Sequence, residues 1–438
     1  MWAVPGIPVR LDSVDRATSD LLQRVIGGAA ALRNPYTARF LPLATLPPTF
    51  EAYQEFVDGV AQSSQGQFAE ARRHFRLAVA HDSSFTWPMV EAALIGLNWV
   101  ALSSAAQNDS ILDALTRIRG RIPPLQRYLL DYLLALKIED WRAAYRAVCE
   151  AGRLAPQRFA YRCGVAASQV NRPRATIGAL TESPGVDSLH RGDTQNYWLV
   201  LTLAYHQLGE YRNELAAARQ ARENRPDSPS ALSQEIRALA ALGSIAAVRA
   251  GLDTVVALGR EGWFTPATAM IEAAQELRAH GQPEAAGSVA ARAIAWHRAR
   301  PAEERATEAR RYQLGWTLYF HGDWAAADSL FRALHAEFPG NEDYLGFLGA
   351  IAARRGHHQT AESVAVRLAT LEHWVPVPGR TATVWRAKIA ALLGERDAAV
   401  SLLRDAFGPD GTFELHADPD FEPIRGHPRF LEFIRPKG

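Results

Sequence analysis

The sequence predicts an all-α solenoid of about ten stacked helix-turn-helix units. Three observations predict it. Apolar residues recur three and four apart in paired blocks, a glycine commonly separates the two blocks of a pair, and a proline often follows the second block. The chain has 438 residues, 48% of them hydrophobic, which is enough to bury a large core. Its formal charge is +1 with 22% charged residues. That balance argues against direct binding to nucleic acid or to an anionic membrane surface.

The elements follow in order. Residues 13–32 read as one helix, capped by Asp12 or Ser13, with Leu21, Leu22, Val25, Ile26 and Ala29 as its apolar stripe. Prolines at 35, 42, 47 and 48 make the following stretch an extended linker, so residues 1–48 form an N-terminal helix and linker. The array occupies residues 49–410. Its plainest unit is TQNYWLVLTLAYHQLGEYRNELAAARQARENRPDS, residues 194–228, in which Gly209 divides two amphipathic blocks and Pro226 closes the second. The same register holds Gly315, Gly322, Trp324, Ala327, Phe331 and Pro339, then Gly59, Gly66, Ala71 and Phe75, then Trp141, Ala144, Ala151 and Pro156. Weaker copies run through Gly243, Gly281, Gly356 and Gly394, and residues 87–120 and 157–185 read as degenerate copies. Small residues such as Gly315 and Ala327 let paired helices approach. Phe331 and Tyr211 fill the space between them. Gly209 and Gly322 are expected at positive φ where a first helix ends.

The spacing of Trp198, Leu201, Tyr205, Gly209, Tyr211, Ala221 and Pro226 resembles the tetratricopeptide (TPR) repeat. The resemblance implies a right-handed superhelix and a protein or peptide partner bound along the first helices of the pairs. In that register Tyr312, Trp316 and Tyr319 form an aromatic stripe, and aromatic and arginine side chains are enriched at binding hot spots. Arg305 joins the stripe only if its helix begins that early. Equivalent positions elsewhere are Asn196, His206, Arg237, Gln275 and Arg354, a mixed polar set without the carboxylate clamp of chaperone-binding TPR domains. A neighbouring turn of the array or the C-terminal segment covering the stripe is the alternative.

Residues 411–438 abandon the repeat. Two histidines, two aspartates and a glutamate fall between His416 and His427, a pattern that invites a metal-site reading. Pro419, Pro423 and Pro428 instead make consecutive turns, with Phe421, Ile424, Phe430 and Ile434 as a surface that caps the last repeat. The strings Asp418-Pro419-Asp420-Phe421, Pro423-Ile424-Arg425 and His427-Pro428-Arg429-Phe430, together with the repeat around residues 47–85, resemble the TPR tails of bacterial serine/threonine protein kinases and of TolB-like or transcriptional regulators. That resemblance implies bacterial signalling. The kinase and DNA-binding parts are not in the sequence: LHRGD at 189–193 lacks the remainder of a catalytic loop.

No HExxH, GxSxG, Walker A or CxxC motif occurs, so no enzyme, cofactor or metal ligand is assigned. His357-His358 reads as a solvated turn, and Glu303, Glu304, Arg305, Arg310 and Arg311 as a solvated charged face. Cys149 and Cys163 read as two buried free thiols, with a disulfide or a redox role as the alternative. Free thiols, no export signal and no apolar stretch long enough to span a membrane together predict a cytoplasmic protein. The expected function is a non-catalytic interaction adaptor. The alternatives are the detached tail of a kinase and a self-associating scaffold.

Overall fold

The computed structural model describes residues 14–34, 36–38, 41, 46–96, 105–182, 195–259, 264–371, 381–412 and 414–438. The N-terminal thirteen residues, Pro35, Pro42 and the LHRGD string lie outside them. Helices joined by turns make up the described residues, with no strand among them, and the helices group into two compact units: residues 1–166 with 183–186, and residues 167–182 with 187–438.

In the first unit, α1 (Val14–Arg33) packs on α2 (Phe50–Ser64), which pairs with α3 (Phe68–His81); α4 (Trp87–Ile95) and α5 (Ala105–Arg117) follow, then the pair α6 (Pro124–Lys137) and α7 (Trp141–Leu154), and the start of α8 (Pro156–Gln169). The expected apolar stripe of α1 is not the buried one. Leu21, Leu22, Val25 and Ile26 are exposed, and Gly27, Gly28 and Ala31 face inward. Two local facts select that face. A Cβ on Gly27 would stand 2.3 Å from the Pro48 carbonyl oxygen, so the chain passes where only glycine admits it. Arg24, on the same side, donates to Asp82 at 2.8 Å and to the Pro47 carbonyl at 3.0 Å.

Cys149 on α7 and Cys163 on α8 are joined in a disulfide, not held as free thiols. The sequence gives only a spacing of fourteen residues, and the helix hairpin is what brings the two Cα atoms to 4.7 Å. The pairing also removes the support that free thiols lent to a reducing compartment. The cross-link closes a short loop, so reducing it, or replacing both cysteines by serine, is expected to cost about 3 kcal/mol. Thermal melts with and without reductant would measure the loss. An unchanged melting temperature would show that the bridge is dispensable.

In the second unit, α9 (Pro173–Thr181) leads into the pairs α10/α11 (Gln195–Gln207, Tyr211–Asn224), α12/α13 (Pro229–Ala241, Ile245–Leu258) and α14/α15 (Pro266–Ala279, Pro283–Arg298). A short α16 (Ala302–Ala306) precedes α17/α18 (Glu308–His321, Trp324–Glu337), α19/α20 (Glu342–Arg354, His358–Thr370) and α21/α22 (Thr381–Leu392, Arg396–Phe407). Gly209 and Gly322 end their helices at φ 71° and 97°, as the turn geometry demands. Thr307 caps α17 by accepting from the Arg310 amide, and this separates Arg305 from that helix. A Cβ on Gly315 would come within 2.8 Å of the Phe331 ring, so the glycine is what admits the ring between α17 and α18. His357 and His358 are exposed at their turn, and Arg311 pairs with Glu337 at 2.6 Å across the surface.

Two 3-10 turns, Glu414–Ala417 and Pro419–Ile424, and α23 (Pro428–Ile434) end the chain. Phe421, Ile424, Phe430 and Phe433 are buried with Ala387, Val400 and Leu403 of the last pair. That is the cap the apolar spacing describes. Asn171 fastens the chain end, donating from Nδ2 to the Asp410 and Arg435 carbonyls at 3.1 and 3.0 Å and accepting from the Lys437 amide at 2.7 Å.

His297 on α15 is buried without a hydrogen bond to Nε2. Burial, then the nearby Arg310 and Arg300 guanidiniums, push its pKa down to about 4. The unfolded chain binds that proton at the ordinary value of about 6.5. The neutral ring therefore contributes full stability above about 6.5, lost progressively as pH falls toward about 4. A His297→Gln variant should lose less stability than the wild type between those limits, as urea midpoints at successive pH values would show. Parallel losses would contradict this origin. Among the described residues no helix is long and apolar enough to cross a membrane.

Candidate functional site

Two side-chain constellations stand on the first helices of the second unit. The first is built on the aromatic stripe. Tyr312, Trp316 and Tyr319 of α17 line a cavity of about 290 Å³ with Gln275 of α14 and Trp385 and Lys388 of α21, and residues 418–420 form one of its edges. Tyr319 donates its hydroxyl to Asp420 Oδ1. Arg354 Nε donates to the Tyr319 hydroxyl at 2.8 Å, and another of its nitrogens donates to Asp420 Oδ1 at 2.6 Å. Lys388 Nζ lies 2.8 Å from Asp418 Oδ2 and 3.7 Å from Asp420 Oδ2. Burial and the Asp420 charge hold the Tyr319 hydroxyl well above its ordinary pKa. Burial opposes the charge on Lys388, but Asp418 and Asp420 outweigh it and raise the pKa. The C-terminal segment is thus clamped across part of the face that the stripe offers.

The second constellation lies further back on the same set of first helices. His206 near the end of α10, Glu276 on α14, His280 one turn on from Glu276, and His416 from the first 3-10 turn place one ligating atom each within 4.8 Å of all the others. The three Nε2 atoms of His206, His280 and His416 lie 3.2, 3.5 and 3.5 Å from Glu276 Oε2. His206 Nε2 and His416 Nε2 are 3.2 Å apart. His206 and Glu276 are buried, and His280 and His416 half-buried. Behind the first of these, His206 Nδ1 lies 2.7 Å from Glu214 Oε2, and Arg237 Nε donates to Glu214 Oε1 at 2.7 Å. Tyr211 sets its ring 5.2 Å from that of His206 and 5.0 Å from that of His280. Burial works against a charge on His206, but Glu214 and Glu276 outweigh it and push its pKa up to about 9. Burial likewise opposes the Glu276 carboxylate, yet the three imidazoles hold it well below the usual range. The locus favours positive charge at its centre.

Residues 309–341, which are most of α17, all of α18 and the turn after it, match the family model described as tetratricopeptide repeat. That segment is a tetratricopeptide repeat. No curated protein matches the chain. Among solved structures, a TPR protein from Parabacteroides merdae ATCC 43184 is 12% identical, covering 69% of this chain and 98% of that one with a TM-score of 0.34. The TPR domain of P58(IPK) is 15% identical over 78% of this chain and 98% of that one, TM-score 0.24. The APC/C hetero-tetramer Cut9-Hcn1 is 13% identical over 95% of this chain and 75% of that chain, TM-score 0.32. TPR folds in general serve as protein–protein interaction scaffolds.

The residues expected to face a partner separate into groups. Gln275, Tyr312, Trp316 and Tyr319 meet at one cavity. Arg354 stands beside it, bound to the C-terminal segment. His206 and Arg237 belong to the histidine–glutamate constellation and its support. Asn196 is exposed at the start of α10, and Arg305 is exposed on α16, outside the cavity lining. Glu276 and His280 were not singled out from the sequence, and His416 entered only in a local metal reading with His427 that gave way to the cap. Glu276 and His280 carry a local signal, since i and i+4 share a helix face. Nothing in the sequence joins His416 to His206, 210 residues away.

Proposed function

We propose that this TPR protein is a non-catalytic adaptor that binds a protein partner through an apolar side chain inserted in the Trp316 cavity. What supports this reading is that Gln275 of α14 meets the α17 stripe of Tyr312, Trp316 and Tyr319 at one cavity. Its volume of about 290 Å³ sits at the low end for ligand pockets and suits one or two side chains rather than a cofactor. The half-buried Trp316 supplies the large apolar surface that dominates hot spots. The residues that resemble the tails of bacterial kinases and regulators support a signalling context for that partner.

The test is a photo-crosslinking residue in place of Val384, which lines the cavity, with the captured partner then measured against wild type and Trp316→Ala. The reading expects a loss of at least about tenfold in affinity, the scale of a hot-spot residue, with far-UV circular dichroism unchanged. Equal retention by Trp316→Ala rejects the cavity as the binding site. Saturable ATP binding by the purified chain would count against a purely non-catalytic role.

A further inference from the structure

We propose that His206, Glu276, His280 and His416 form a structural zinc site that fastens the C-terminal segment to the first helices of the second unit. This goes beyond the adaptor reading and does not depend on it. The argument starts from size. Zinc holds imidazole nitrogen and carboxylate oxygen at about 2.0–2.2 Å in a tetrahedron, whose edges are then about 3.3–3.5 Å. Four of the six separations among these ligating atoms are 3.2, 3.2, 3.5 and 3.5 Å, and no pair exceeds 4.8 Å. Three neutral imidazoles and one carboxylate form a nitrogen-rich, borderline-soft set. It suits a divalent first-row transition metal and not calcium or magnesium, which take oxygen ligands.

The hydrogen-bond geometry agrees. Glu276 Oε2 and His280 Nε2 are buried, yet neither is in an aligned hydrogen bond, although their neighbours are 3.2–3.5 Å away. Both atoms instead share one small space with the nitrogens of His206 and His416, no two of the four more than 4.8 Å apart. A single cation at the centre would satisfy that carboxylate oxygen and the three imidazole nitrogens together. The outer contacts have the form that metal sites use. With Nδ1 of His206 as donor to Glu214, Nε2 is left with its lone pair facing the centre, and Arg237 holds Glu214 in turn. Four protein ligands complete the tetrahedron and leave no position for a reacting water, so the role is structural and not catalytic. The consequence is mechanical. His416 is two residues from Asp418, at the edge of the Trp316 cavity, so zinc fixes the segment that borders it.

The experiment uses the full chain, freed of metal with EDTA and dialysed, and titrated with zinc chloride against a chromophoric chelator. A single equivalent should bind more tightly than about 1 μM. Cobalt(II) in its place should give the intense visible absorption of a four-coordinate ion, a readout that needs no variant. His416→Ala and His280→Ala should each weaken binding more than about 100-fold, and Glu214→Gln, which keeps all four ligands, about 10- to 100-fold. His427→Ala, a histidine of the same segment that instead faces Asp397 at 3.4 Å, should bind as the wild type does. Absence of saturable zinc binding, a weak six-coordinate cobalt spectrum, or equal affinities for His416→Ala and the wild type would each overturn the proposal.

Discussion

Asp420→Ala is expected to lower the stability of the second unit by about 3–5 kcal/mol, the scale seen when one partner of a buried ion pair is removed. The Asp420 side chain is 2% exposed and that of Arg354 16% exposed, with 2.6 Å between them. Without the carboxylate, Arg354 keeps the Tyr319 hydroxyl, the Pro419 carbonyl and the faces of the Tyr319 and Trp324 rings, none of which carries a balancing charge. Lys388 loses one of its two carboxylates and keeps Asp418. Water has little access to replace them, so most of the cost is the stranded charge. The comparison is Glu422→Ala on the same segment. Its pair with Arg278 is also short, at 2.8 Å, but the two side chains are 48% and 38% exposed, and solvent screening limits the loss to below about 1 kcal/mol. Urea melts of both variants would decide. A similar small loss for each would mean that the Asp420 cluster does not hold the segment.

Phe331→Ala is expected to cost about 3–5 kcal/mol. The ring is fully buried, stacks on Phe347 with centroids 4.2 Å apart, and fills the space that Gly315 leaves between α17 and α18. Phe338, at the end of α18, should cost less than about 1.5 kcal/mol when cut to alanine, because 37% of its surface stays in water and the site is open to solvent. A Phe331→Ala variant as stable as Phe338→Ala would contradict the packing.

These two residues differ in how far the sequence announced them. Phe331 was legible: its spacing from Gly315, Gly322 and Ala327 repeats elsewhere in the chain, and helix-pair packing follows from local periodicity. Asp420 was legible only as a turn former, which it is, since its amide donates to the Asp418 side chain at 2.9 Å. Its second role, as counter-ion to Arg354, joins residues 66 apart and has no local signature. The stripe Tyr312, Trp316 and Tyr319 was found by register. The alternative weighed with it, cover by the C-terminal segment, holds at Tyr319, which Asp420 engages. On α1 the periodicity located the helix but its most apolar stripe was not the buried one, because close approach at Gly27 and the Arg24–Asp82 pair chose the other side.

What the sequence by itself determined, then, is the repeated helix pair: where each helix runs, where glycine turns it, and which small and aromatic positions meet inside a pair. Those are interactions between residues within one turn or one hairpin, and periodicity encodes them. Only the tertiary structure decided that Cys149 and Cys163 are bonded, that Asp420 neutralises Arg354, and that His416 joins His206, Glu276 and His280. Each of these depends on where a chain that has left its repeat comes to rest, or on how two helices face one another. Stacking geometry sets such distances, and no spacing in the sequence records them.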